Sequence, residues 1–210
     1  MMNFLLSFVI LFSGMFNSPN AFEGSIEIVC SSFYDTSYFT YFVKNKNVRI
    51  DKFDENNSLI QSMIIDLDKD EIFILSPDKK LYKQLTINTE LTQPEEGFIV
   101  LKTENSRIVN GLECYQWRVR NTERNMEVAY WVWQDNFYFF EELVHLLNRT
   151  DKNYEFFDKI PETLGFFPML TVERTLLRRE KSRASVLNIN NKTIDESIFK
   201  VPSNYELVKL

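Results

Sequence analysis

Asp66-Leu67-Asp68-Lys69-Asp70-Glu71 carries the spaced carboxylates with which calcium-binding helix-loop-helix motifs begin. Such a loop needs glycine at its sixth position and a bidentate glutamate at its twelfth, and here those places hold Glu71 and Pro77. The run therefore reads as a turn with solvated acids. His145 is the one imidazole of the chain, so no two-histidine metal site can be completed, and no Gly-x-Ser-x-Gly elbow accompanies it for a nucleophilic triad. The neighbouring acids Glu141 and Glu142 belong to a chain with 30 carboxylates and read as a solvated helix face, not as a glycosidase pair. Arg174, Arg178, Arg179, Lys181 and Arg183, interleaved with Leu176 and Leu177, form the one basic cluster. On a strand pair it would either meet an anionic headgroup or acidic partner, or make ion pairs within the acidic remainder.

Composition narrows the function classes further. With one His, two Cys and five Gly in 210 residues, the chain lacks the parts for a multi-ligand metal centre or a glycine-rich phosphate cradle, and no cofactor is expected. A net charge of -6 supplies no cationic field for nucleic acid. No catalytic constellation survives, so the expectation is a non-enzymatic protein. Hydrophobic residues at 44% and charged residues at 26% are those of a globular chain.

The uncharged apolar run from Phe4 to Phe16 is too short for a bilayer span and suits a signal-peptide core. With Ala21 as the small residue before cleavage, residues 1–21 are expected to be removed, the alternative being an uncleaved anchor. Residues 22–210 then form a single domain, periplasmic or secreted. Export permits a disulfide between Cys30 and Cys114. Strand parity gives Cys30 the apolar neighbours Ile26 and Ile28, but gives Cys114 Gln116 and Arg118 as well as Leu112, and two unpaired thiols acting as small apolar residues is the other reading.

The elements that would position these groups are mostly strands. Segments rich in β-branched and aromatic residues recur between turn signals: 23–32, 38–44, 47–53, 58–66, 71–76, 81–87, 98–103, 106–109, 113–120, 126–134, 169–179 and 185–190. Past Asp135 the period lengthens. Phe139, Phe140, Leu143, Val144, Leu146 and Leu147 fit a helix capped by Asp135 or Asn136, and a second short helix is expected over 151–159. The layout is α+β, mainly β: a curved antiparallel sheet with covering helices. Several strands are apolar on both faces, Val128, Tyr130 and Val132 alternating with Ala129, Trp131 and Trp133. Such strands need cover on both sides, from a helix or from a bound apolar ligand.

Several segments taken together resemble the exported proteins that carry domain of unknown function 4412. They are Phe22-Glu23-Gly24-Ser25-Ile26, Phe42-Val43-Lys44 with Val48-Arg49-Ile50, Ile64-Ile65-Asp66-Leu67 with Ile72-Phe73-Ile74-Leu75-Ser76-Pro77 and Lys80-Leu81-Tyr82, Asn110-Gly111-Leu112-Glu113-Cys114 leading to Tyr130-Trp131-Val132, and Ile194-Asp195-Glu196-Ser197-Ile198-Phe199 with Val201-Pro202 and Tyr205. That family is similar in pattern to the lipoprotein carriers LolA and LolB. The resemblance implies an incomplete antiparallel barrel, lidded by helices, with acyl chains held in an apolar concavity. It also implies a lid-latching arginine on an early strand, a place Arg49 takes. Trp117, Trp131, Trp133, Phe139 and Phe140 are then the expected wall of the concavity or its lid. The expected partner is a lipid or lipoprotein acyl chain; the alternative is an envelope protein bound by a module whose core is filled. The sequence sets no oligomeric state.

Overall fold

The computed structural model describes residues 21–87, 97–150 and 154–208, so the expected signal segment lies outside the described residues except for Ala21. Two strand meanders run outward from a shared centre. The first is β1 (Gly24–Ser32), β2 (Thr36–Lys44), β3 (Asn47–Phe53), β4 (Leu59–Asp66), β5 (Glu71–Ser76) and β6 (Leu81–Gln84). The second is β7 (Phe98–Val109), β8 (Leu112–Asn121), β9 (Met126–Gln134), β10 (Phe166–Thr175) and β11 (Glu180–Asn190). Antiparallel pairing of β1 with β11 fuses them, and β12 (Glu206–Leu207) adds in parallel to β6. The result is a 12-stranded sheet in the order β12-β6-β5-β4-β3-β2-β1-β11-β10-β9-β8-β7. A twisted open sheet beyond about ten strands curls instead of staying flat. The curl gives the half-barrel expected from the sequence.

Register decides which residues face the concavity. Ile26 lies opposite Tyr41, Tyr41 opposite Ile50, Ile50 opposite Met63 and Met63 opposite Ile74, so one apolar row crosses five strands. Their neighbours Phe42, Arg49 and Ile64 form the matching row on the convex face.

The helices sit between β9 and β10 in sequence: α1 (Tyr138–Asn148) and α2 (Glu155–Asp158). α1 buries the six apolar residues whose spacing announced it. Neither Asp135 nor Asn136 caps it. The N-cap is Phe137 with no side-chain bond, and the two expected caps lie one and two residues ahead of it in the neck: the Asp135 amide donates to the Gly165 carbonyl at 2.9 Å and the Asn136 carbonyl accepts from the Phe22 amide at 2.9 Å. These bonds close the neck of the helical insertion and fasten it to the start of β1. Gly165 is required there. It adopts φ +80°, and a Cβ at that position would lie 2.8 Å from the Asp135 carbonyl oxygen.

β9, apolar on both faces, has the β7–β8 hairpin over its Trp131 side. The hairpin's closed end reaches across the sheet, the Asn110 side-chain amide donating to the Val186 carbonyl of β11 and the Arg107 guanidinium lying 5.0 Å from the Trp131 ring centre. Val109 and Cys114 are buried there.

The segments expected at 98–103 and 106–109 are one strand. A bulge between Lys102 and Ser106 interrupts the ladder, and the Thr103 hydroxyl donates to the Gln116 carbonyl at 2.8 Å within the gap. β10 starts earlier than expected, running through Pro168 at a second bulge, where a residue without an N–H is tolerated. β11 extends back to Glu180 because its polar first half is a strand at the sheet's tip.

Candidate functional site

Between the concave face and the helices lie two adjoining chambers. The inner one, about 220 Å³, is walled by Ile28 and Tyr41 from the sheet's centre, Tyr130 and Thr171 from the second meander, and Phe140 and Phe157 from the helices. The outer one, about 640 Å³, continues past Met63, Ile74 and Leu147 to a polar rim of Ser31, Ser32, Asp35 and Ser182. Cys30, Phe39 and Tyr154 line both. The outer volume falls in the range of small-molecule sites, about 300–1,000 Å³, and the inner one lies below it.

Aromatic rings build the inner wall. Phe140 meets Phe167 at 4.6 Å and Phe157 at 5.1 Å between centroids, and Phe157 meets Tyr130 edge-on at 5.1 Å. The Tyr41 and Tyr154 hydroxyls share a hydrogen bond of 3.1 Å that joins sheet to helical segment. Burial raises the Tyr41 phenol well above its ordinary range, with Tyr154 adding to the effect, and burial raises Tyr130 in the same direction. Both stay neutral, so the inner chamber holds hydroxyl dipoles and no charge from these groups. At the outer chamber the Lys52 ammonium lies 5.8 Å from the centre of the Phe39 ring.

Charge pairs link the helices to the turns of the sheet. Lys46, between β2 and β3, pairs with Glu142 of α1; Asp70, between β4 and β5, takes Arg149 at 2.6 Å; Arg124, between β8 and β9, reaches Glu155 of α2 at 2.8 Å. These pairs were not legible, since nothing in the spacing of Lys46 and Glu142 joins them before the sheet curls.

The expected site residues divide. Phe140 lines the inner chamber. Phe139 is buried beside it against Phe22 and Phe167, and Trp117 is buried opposite Tyr130 and against Phe166 at 4.6 Å; neither is among the residues lining the two chambers. Trp131 and Trp133 alternate with Tyr130 and Val132 and do not line these chambers; Trp131 faces the β7–β8 hairpin instead. Arg49 is no lid latch here. It stands in the convex row and donates to Asp51 at 2.8 Å, to Ser62 at 3.2 Å and to the Ile198 carbonyl at 3.1 Å, which fastens the C-terminal segment. Cys30 and Cys114 are free thiols on strands four places apart in the sheet, so the disulfide is not formed. Burial pushes the Cys30 thiol up to about 11, partly offset by Lys52.

The remaining chemistry-bearing groups have local partners. Asp66 accepts from the Asp68 and Lys69 amides at 3.1 Å and from the Lys69 ammonium at 2.6 Å, which makes the calcium-like run a self-bonded turn. His145 faces the Asp158 carboxylate of α2. Most of the basic cluster is paired, Arg174 with Glu127, Lys181 with Glu173 and Arg183 with Glu180.

The model of a family described as "Domain of unknown function (DUF4412)" matches residues 22–205. The chain belongs to that family. The sequence resemblance was to the same family, and its match spans both meanders and the helical insertion. Among curated proteins none matches the sequence. Among solved structures, an uncharacterized conserved protein from Thermus thermophilus is similar with a TM-score of 0.52 at 7% identity, over 89% of this chain and 90% of that one. The structure of MucB in complex with MucA(peri) gives 0.49 at 10% identity, over 89% of this chain and 56% of that one. A putative outer membrane lipoprotein-sorting protein domain from Vibrio parahaemolyticus gives 0.31 at 9% identity, over 84% and 87%. At these identities the first of them speaks for the fold alone.

Proposed function

We propose that this member of the DUF4412 family is an exported, non-enzymatic protein that holds the acyl chain of a lipid or lipoprotein in its half-barrel. The observation that carries the reading is the pair of adjoining chambers that share Cys30, Phe39 and Tyr154 as wall: an aromatic inner one, where Tyr41 and Tyr130 are kept neutral, and an outer one with a polar rim. An acyl chain would lie along Phe39 towards Tyr41 and Phe140, with its polar head at the rim near Ser32, Ser182 and Lys52.

A second reading has its own support. The Phe140, Phe157 and Phe167 cluster already fills much of the inner end. On that reading the protein is an envelope interaction module with a dry core and works through its surface.

Mass spectrometry of the organic extract from protein purified from its native envelope separates the two, together with displacement of a fluorescent fatty acid. Stoichiometric lipid displaced by the probe is the expected result. No extracted lipid and no probe binding would leave the interaction module.

A further inference from the structure

The sheet end at which the outer chamber opens carries two apolar turn tips. Between β1 and β2, Phe33 is 69% and Tyr34 98% exposed, and between β10 and β11 Leu177 is 90% exposed. No other large apolar side chain among the described residues exceeds the 64% of Ile108. The tips are neighbours, because β1 pairs with β11 and Ser32 lies opposite Ser182. The Arg179 guanidinium, 5.4 Å from the Phe33 ring, joins them.

Folding does not account for these residues. Turn tips ordinarily carry small polar residues, and here the backbone of 175–179 is fixed without help from the apolar side chains. The Arg178 amide donates to the Thr175 carbonyl at 2.8 Å and the Arg179 amide to the Thr175 hydroxyl at 3.2 Å, with Arg178 at φ +66°. Leu177 is thereby projected outward.

Charge points to the occupant. Arg183 and Lys181 have carboxylate partners, whereas no carboxylate among the described residues pairs with Arg178 or Arg179. Asp35, the acid of the first tip, accepts from the Ser37 hydroxyl at 3.0 Å. Asp54 and Glu55 lie in the turn after β3 and bound the patch on that side. Two arginines without a carboxylate partner among the described residues therefore stand beside an aromatic pair and a leucine on a chain of net charge -6. Aromatic rings at headgroup depth, a short apolar wedge and arginines on phosphate are how a surface sits on an anionic membrane. Two turns are also too small for a stable protein interface, which buries about 1,200 Å² or more.

We propose that these two tips dock on an anionic lipid bilayer and hold the mouth of the outer chamber against the headgroups. Docking deepens the acyl-carrier reading by naming the surface from which the chain would be taken, and it rests on that reading for its purpose alone; the tip residues are distinct from those of the inner chamber.

The test is sedimentation of the mature chain with vesicles of phosphatidylcholine, with and without phosphatidylglycerol. Binding is expected only with phosphatidylglycerol, and it should weaken as salt rises. Arg178→Ser with Arg179→Ser should weaken it about thirtyfold, at the usual worth of a cation at an anionic surface. Tyr34→Ser with Leu177→Ser should abolish it, and both double variants should melt like the parent. In Tyr34→Trp the introduced indole should shift to the blue with vesicles and be quenched by brominated lipid. Equal pelleting of parent and variants, or an indole that stays in water, overturns the proposal. Fatty-acid probe binding measured on the parent and on the same variants keeps the two ideas apart: a parent that binds the probe but no vesicles sinks only the membrane surface, a parent that binds vesicles but no probe sinks only the chamber, and variants that lose vesicle binding while keeping the probe support both.

Discussion

Tyr41 on β2 and Tyr154 ahead of α2 meet hydroxyl to hydroxyl at 3.1 Å, across the space where the half-barrel would otherwise be open. Tyr41 is 7% exposed, so its hydroxyl has little access to water as a substitute partner. Tyr154→Phe should cost about 1–2 kcal/mol by leaving that hydroxyl buried without this bond, whereas Tyr41→Phe with Tyr154→Phe should recover part of the loss. Urea unfolding of the single and double variants measures it, and strictly additive losses would mean that the bond contributes nothing specific.

The turn pairs Lys46–Glu142 and Asp70–Arg149 are half exposed, with side-chain exposures between 38% and 51%. Pairs of this kind contribute at most about 1 kcal/mol each. Asp70→Lys and Lys46→Glu should therefore leave the melting temperature nearly unchanged. Both place like charges against α1, so the release rate of a bound fatty acid in stopped-flow should rise and should become salt-dependent. An unchanged rate would show that the helices do not open at that end.

Cys30 lines both chambers, and its thiol is pushed from 9.0 to about 11 by burial. Near neutral pH its maleimide reaction should be about a hundredfold slower than in the unfolded chain, because the thiolate is that much scarcer. Added fatty acid should slow it further, while Cys30→Ser removes the protected signal and leaves only the deeply buried Cys114. A reaction rate indifferent to fatty acid would place the ligand elsewhere.

Local pattern was enough to read most of the strands, since β3, β5 and β9 begin and end where alternation and turn residues put them. It was enough for α1 because six apolar residues share one helical face. What escaped depends on the curl of the sheet. Trp131 looked like a wall residue until register placed Tyr130 inside and Trp131 under Arg107. Arg49 looked like a latch, and register put it on the convex face. β12 has two residues and no pattern of its own; the Lys80 and Tyr82 carbonyls recruit it. The tip residues Phe33 and Leu177 were invisible as a pair because only β1–β11 pairing brings them together.

Gly165 offers a direct test of how the helical insertion is held. Its φ of +80° is a region L-residues rarely adopt, and an added methyl would strike the Asp135 carbonyl that shares the neck of the insertion. Gly165→Ala should destabilise by about 1–3 kcal/mol. Since Phe137 and the start of α1 hang from the same neck, the fatty-acid probe should also bind less tightly. Gly111→Ala is the control: it too has positive φ, +80°, but open space around its Cβ position, so it should show the backbone strain without the collision. Equal losses in both variants would remove the close approach from the explanation.

Glu127 is 6% exposed and lies between Arg120, which donates at 2.9 Å, and Arg174, which donates to its other oxygen. Burial alone would raise its pKa, but the hydrogen bonds from the two arginines outweigh it and hold the carboxyl below the ordinary 4.5. A depressed acid stabilises the fold fully above its unfolded value, and the contribution fades as pH falls through the lower native value. Thermal stability should hold down to about pH 5 and then decline. Glu127→Gln should cost about 2 kcal/mol at neutral pH, because it leaves both guanidinium groups without their charge partner. The same variant should flatten the acid limb measured by calorimetry. If the limb kept its slope, the acid sensitivity would belong to other carboxylates and β8, β9 and β10 would not be stapled through this residue.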